Sequence, residues 1–134
     1  MRDPLAPFRW ALNEKGQSEI AGHDHNRRII WYHSFTTLKA TDDETPWCSA
    51  FMNASAFMNG YEGTGSAAAI SWKDYGIPGT GQPGDIAVLA NHVAFVHSGA
   101  VNGRLILFGG NQQNKVGGNW FSEDKIIAIR RFPD

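Results

Sequence analysis

The stretch His92-Val93-Ala94-Phe95-Val96-His97-Ser98-Gly99-Ala100-Val101-Asn102-Gly103-Arg104-Leu105-Ile106-Leu107-Phe108 decides the fold. Two apolar runs flank the pair Asn102-Gly103. Asn-Gly tolerates the positive φ that both central positions of a type I′ turn require, so the pair is a strong hairpin signal. It predicts antiparallel strands over 92–101 and 104–108. With a two-residue turn, Val101 pairs with Arg104, Val96 faces Gly109, Ala94 faces Asn111 and His92 faces Gln113. Side chains alternate across a strand, so His92, Ala94 and Val96 share a face with Asn111 and Gln113, while His97 and Phe108 lie on the other. Asn111 is then diagonal to His92, roughly 7–8 Å away between backbones and within reach of a leaning side chain. A bulge at Gly109-Gly110 would move the register by one and bring Gln112 in place of Asn111.

Outward from the hairpin, Pro83-Gly84 turns the chain into a strand over 85–90, and 125–131 reads as a fourth strand. The glycine- and asparagine-rich stretch 109–124 reads as a loop lining a cleft, with Gln112, Gln113 and Trp120 as candidate substrate contacts. Phe121 and Trp72 are further groove candidates, although Trp72 fits the apolar face of a helix better. Before Tyr75 the pattern is helical. Helices are expected over 7–13, 26–34, 47–59 and 66–75, stopped by Gly16 after the first, Gly60 after the third and Gly76 after the last. In the third, Trp47, Ala50, Phe51, Ala54, Phe57 and Met58 form one stripe. Helices first and an antiparallel sheet second predict an α+β fold, as one domain over 1–134.

Composition sets limits on function. The 134 residues are 42% hydrophobic and 19% charged, with a formal net charge of -1, which fits a folded globular chain. The longest cationic runs are Arg27-Arg28 and Arg130-Arg131, so no clustered surface for nucleic acid is expected. No stretch reads as a signal peptide or membrane span, so the expectation is cytoplasmic synthesis, no membrane partner and a monomer. One cysteine rules out an internal disulfide. No metal or cofactor is expected. His23-Asp24-His25 would splay along an extended chain, and Asp42-Asp43-Glu44 lacks the alternating oxygens of a calcium loop.

That single cysteine, Cys48, sits in Asp42-Asp43-Glu44-Thr45-Pro46-Trp47-Cys48-Ser49-Ala50-Phe51. Thr45 reads as an N-cap and Pro46 as the first helical residue, which puts Cys48 at the third. There the helix dipole favours a thiolate. The three acids read mainly as favourable charge at the helix start. A lone thiol with histidines downstream is a candidate nucleophile, and a nucleophile needs a base and an orienting group. The hairpin offers His92 as base, with Asn111 nearby. A free cysteine is also often a small buried hydrophobe, so both readings stay open on Cys48 alone.

Taken together, Pro46-Trp47-Cys48-Ser49-Ala50-Phe51, then 63–72, Pro83-Gly84-Asp85-Ile86, His92-Val93-Ala94-Phe95 and Gly109-Gly110-Asn111-Gln112 resemble the CHAP domain (cysteine, histidine-dependent amidohydrolase/peptidase) and its NlpC-type relatives. Glu19-Ile20-Ala21-Gly22 and Asn26-Arg27-Arg28-Ile29 resemble the entry segment of that family. The resemblance implies a papain-like fold and cysteine-dependent hydrolysis of amide bonds in bacterial peptidoglycan. It implies a muramoyl-alanine amidase or an endopeptidase, with Cys48 as nucleophile, His92 as general base and Asn111 as third member. The Cys48 backbone N–H is the expected oxyanion donor, with Tyr32 or His33 as the second. Such an enzyme would act on the wall after release or secretion, as a phage endolysin or a delivered toxin does. The alternatives are another cysteine acyl chemistry on this scaffold, such as transpeptidation or deamidation, and a wall-binding module without catalysis.

Overall fold

The computed structural model describes residues 2–21 and 24–134. Among them are three α-helices, α1 (Ala6–Leu12), α2 (Arg27–His33) and α3 (Cys48–Phe57). Six strands follow: β1 (Ile77–Pro78), β2 (Ile86–Leu89), β3 (His92–Val101), β4 (Arg104–Gly109), β5 (Gly117–Ser122) and β6 (Ala128–Arg131). The strands form one antiparallel sheet in the order β1-β6-β2-β3-β4-β5. The fold is α+β, with helices ahead of sheet as expected.

The starts of α2 and α3 have different local causes. Asn26 caps α2, its side-chain oxygen accepting from the Arg28 and Ile29 amides at 2.8 and 3.4 Å. α3 begins at Cys48 itself, with Trp47 at the cap position and no side-chain cap. The expected cap, Thr45, is instead held in a turn by Asp42, which accepts from the Glu44 and Thr45 amides at 2.9 and 2.7 Å. Cys48 therefore occupies the first helical position, not the third. The stripe expected on α3 is also replaced. Residues 48–56 are all buried, whereas Phe57 and Met58 are exposed. A helix covered on every side is a central helix. It packs on α1 and α2 and against β3 and β4.

The polar residues of α3 are satisfied where they lie. Ser49 donates to the Ser66 carbonyl at 2.7 Å and accepts from Trp72 Nε1 at 2.8 Å. Asn53 donates to the Ser66 carbonyl at 3.2 Å and accepts from the Gly65 amide at 2.8 Å. These bonds bind 64–66 to α3. They also explain why the expected helix over 66–75 is reduced to a 3-10 turn, Ala69–Trp72. The Ser66 carbonyl is already taken, and the Ser66 and Ser71 hydroxyls bond to the Ala68 amide and carbonyl.

The sheet buries both faces. Ile86, Val88, Val93, Phe95 and Phe108 join the helices in the main core. Ala87, Leu89, Ala94, Val96, Leu105 and Leu107 form a second core, covered by Phe121 and Ile126. Val101 pairs with Arg104 as expected, but Val96 pairs with Leu107 rather than Gly109. Two shifts, one between Val96 and Ser98 and one between Ser98 and Val101, account for the difference. Two one-residue shifts restore the alternation, so His92 keeps its face. The stretch expected as a loop, 109–124, contains β5, which is paired with β4 along its whole length.

Candidate active site

Cys48 and His92 open adjoining elements, α3 and β3. The Cys48 sulfur lies against the backbone N–H groups of Val93, Ser49 and Cys48. Val93 follows His92 in the chain, so the thiol meets the backbone immediately beside the histidine. Cys48 is only 5% exposed. Burial pushes its thiol pKa up, and the three amides pull the other way without overcoming it. Burial thus opposes the thiolate that a helix start favours.

The His92 ring stacks on Phe121, with centroids 5.5 Å apart and planes 12° apart. Burial lowers its pKa, and Gln112 favours the charged ring in opposition. Gln112 is 3% exposed and donates from Nε2 to the Leu107 carbonyl at 2.8 Å. Its oxygen is the atom left to turn to the ring. The approach falls short of a full hydrogen bond, and His92 Nε2 is buried without a partner. The thiol thus meets the backbone beside His92, whereas the half-buried ring itself stacks on Phe121, which covers the second core with Ala94 and Val96.

Gln112, not Asn111, is therefore the side chain brought to His92. Asn111 has φ 56°, and the turn it makes moves the next residue inward. Gly110 permits this approach. A Cβ there would stand 2.6 Å from Phe51 Cβ and 2.8 Å from Trp47 Cε3. The sequence held one signal for Gln112, the glycine pair that could shift the register, but the shifts fall in β3 instead.

The other expected contacts are placed differently. Tyr32 is fully buried and donates to Glu14 at 2.8 Å, so its hydroxyl is committed away from a substrate. Burial raises its pKa, and Glu14 adds to this. His33 is fully buried at the end of α2, and neither ring nitrogen has a partner. Burial lowers its pKa, against Asp42 and Asp43. Gln113 is exposed in the turn after Asn111, at φ 56°. Trp120 stands exposed on β5 with the Arg104 guanidinium over its ring at 5.3 Å, so it belongs to a strand rather than a loop. Trp72 is buried in the core. His97 is exposed and packs near Phe8 and Phe108.

The acidic run before α3 has a larger role than helix-start charge. Asp43 is fully buried and accepts from the Ile20 and Asn26 amides, each at 2.8 Å, with His25 Nδ1 at 3.0 Å from its other oxygen. It clasps the entry segment to the loop before α3. Burial would raise its pKa, but the two amides and His25 hold it below the usual carboxylate value. Of His23-Asp24-His25, His23 lies outside the described residues, as does Gly22 of the entry segment. Among the described residues no group of three metal-ligating side chains gathers, and no helix is long and apolar enough to cross a membrane. Compared with known protein families, curated proteins and solved structures, the chain matches none.

Proposed function

We propose that the protein is a cysteine hydrolase of papain-like fold that cuts amide bonds in bacterial peptidoglycan, with Cys48 as nucleophile and His92 as base. The observation that carries this reading is the Cys48 sulfur lying against the Val93 N–H, beside His92. Gln112 takes the place expected for Asn111, as the group that orients the ring.

In this reading His92 takes the thiol proton as the Cys48 sulfur attacks the amide carbonyl. The sulfur–carbon bond forms, and negative charge moves to the carbonyl oxygen. Backbone N–H groups at the start of α3 meet that oxygen, and each such donor is typically worth about 3–4 kcal/mol of barrier. His92 then protonates the departing nitrogen, leaving a thioester. Next, it takes a proton from water, whose oxygen displaces the sulfur and releases the acid. His33, with both nitrogens unpartnered, remains the better candidate than Tyr32 for a second donor. The protein would reach the wall after release or secretion.

The burial and raised pKa of Cys48 favour a second reading, a wall-binding module without catalysis. Mass spectrometry of digested sacculi separates the two. New peptide or amine termini released by the wild type, and none by Cys48→Ala, support hydrolysis. Wall binding by both proteins with no new termini from any wall type excludes it.

A further inference from the structure

β5 ends the sheet, and among the described residues no strand pairs with its outer edge. The ladder on that side stops just short of it. The Gly16 amide donates to the Val116 carbonyl at 3.1 Å, the Val116 amide to the Gln17 carbonyl at 2.8 Å, and the Glu19 amide to the Asn114 carbonyl at 2.9 Å. Among the described residues no backbone hydrogen bond from outside the sheet reaches 118–122, and the strand carries neither proline nor lysine, the usual protections against strand addition.

The two ends of this edge differ in charge. Beside Gly117 and Gly118 a hollow with an apolar floor of Leu12, Ile106 and Phe108 is flanked by Lys15 and Lys115, with no carboxylate in its lining. The Lys115 stem lies along Gly117, its Cε 3.9 Å from where a Cβ would stand. At the other end, Ser122 is followed by Glu123 and Asp124. A strand added antiparallel to β5 would run from the acids to the lysines. Its C-terminus would arrive where 15–17 blocks further extension, and its carboxylate would meet both ammonium groups. A parallel strand would bring an amine there instead.

We infer that the outer edge of β5 binds an extended peptide antiparallel, and that Lys15 and Lys115 receive its C-terminal carboxylate. Backbone hydrogen bonds supply affinity in this mode, and the charged end fixes direction. The exposed Trp120, midway along the edge, adds an apolar contact. This inference does not depend on hydrolysis.

The test uses the full chain carrying Cys48→Ala, which stops turnover. The probe is an acetylated pentapeptide of alternating valine and threonine, titrated by calorimetry as the free acid and as the C-terminal amide. The free acid binds, and the amide binds about tenfold more weakly, as does the free acid to Lys15→Gln/Lys115→Gln. N-methylation of alternate backbone nitrogens in the probe abolishes binding. Equal affinity for acid and amide, binding indifferent to N-methylation, no binding at millimolar probe, or sedimentation as a dimer paired through β5 would each overturn the inference.

Discussion

Asp85 and His92 flank β2, and both are largely buried, yet they are supplied with partners in opposite ways. Asp85 accepts from the Thr80, Gly81 and Gln82 amides at 2.9–3.0 Å. It also takes Arg131 in a two-pronged pair at 2.6 and 3.0 Å. Burial raises its pKa, but Arg131 and the amides together bring it below the usual value. His92 has a stacked phenyl ring, a carboxamide at its side and a buried nitrogen with no partner. Asp43 follows the first pattern, and His33 follows the second. Buried polar groups that hold a fold together find their bonds within it. A buried polar atom without a partner calls for another explanation, and at His92 the proposed reaction supplies one.

That contrast is broken most sharply by Cys48→Ala. Activity on peptidoglycan should fall by at least about a thousandfold, because no other thiol can replace the nucleophile. Stability in urea should change by less than about 1 kcal/mol. Asp85→Ala should do the reverse. It strands three amides and a guanidinium, and urea denaturation should report a loss of about 3 kcal/mol. Because the folded pKa of Asp85 is lowered, its contribution is present above the unfolded value near 3.9 and is lost as pH falls through the folded one.

Gln112→Ala is intermediate. It removes the group that favours a charged His92, so kcat/KM should fall about tenfold or more. In the wild type the acid limb of kcat/KM should lie below the ordinary histidine value of about 6.5, since burial lowers the ring pKa and catalysis needs it neutral. In Gln112→Ala that limb should move lower still. Asn111→Ala should change kcat/KM by less than about twofold in the same assay. A larger loss than that of Gln112→Ala would return the orienting role to Asn111.

What the sequence revealed depended on how local the deciding interaction was. Asn102-Gly103 sets its own turn, so the hairpin and the pairing of Val101 with Arg104 were legible. The register further along was not, because Ser98-Gly99-Ala100 admits bulges that no turn rule anticipates. Gly117-Gly118-Asn119 has little strand propensity, and only pairing with β4 makes β5. The helix expected over 66–75 lost its backbone bonds to Ser49 and Asn53, residues of a different element. Cys48 was correctly placed near a helix start. The burial that raises its pKa comes from elements distant in sequence.

Alkylation of native protein by iodoacetamide, followed against pH in the wild type and in His92→Ala, is the most direct test of Cys48 and His92 acting as a pair. Cys48 should be modified while the protein stays folded. Burial moves the midpoint of that reaction up from the ordinary free-thiol range, and removal of the imidazole should slow the reaction without shifting the unfolding midpoint. Modification only on unfolding, at the same rate in both proteins, would contradict it.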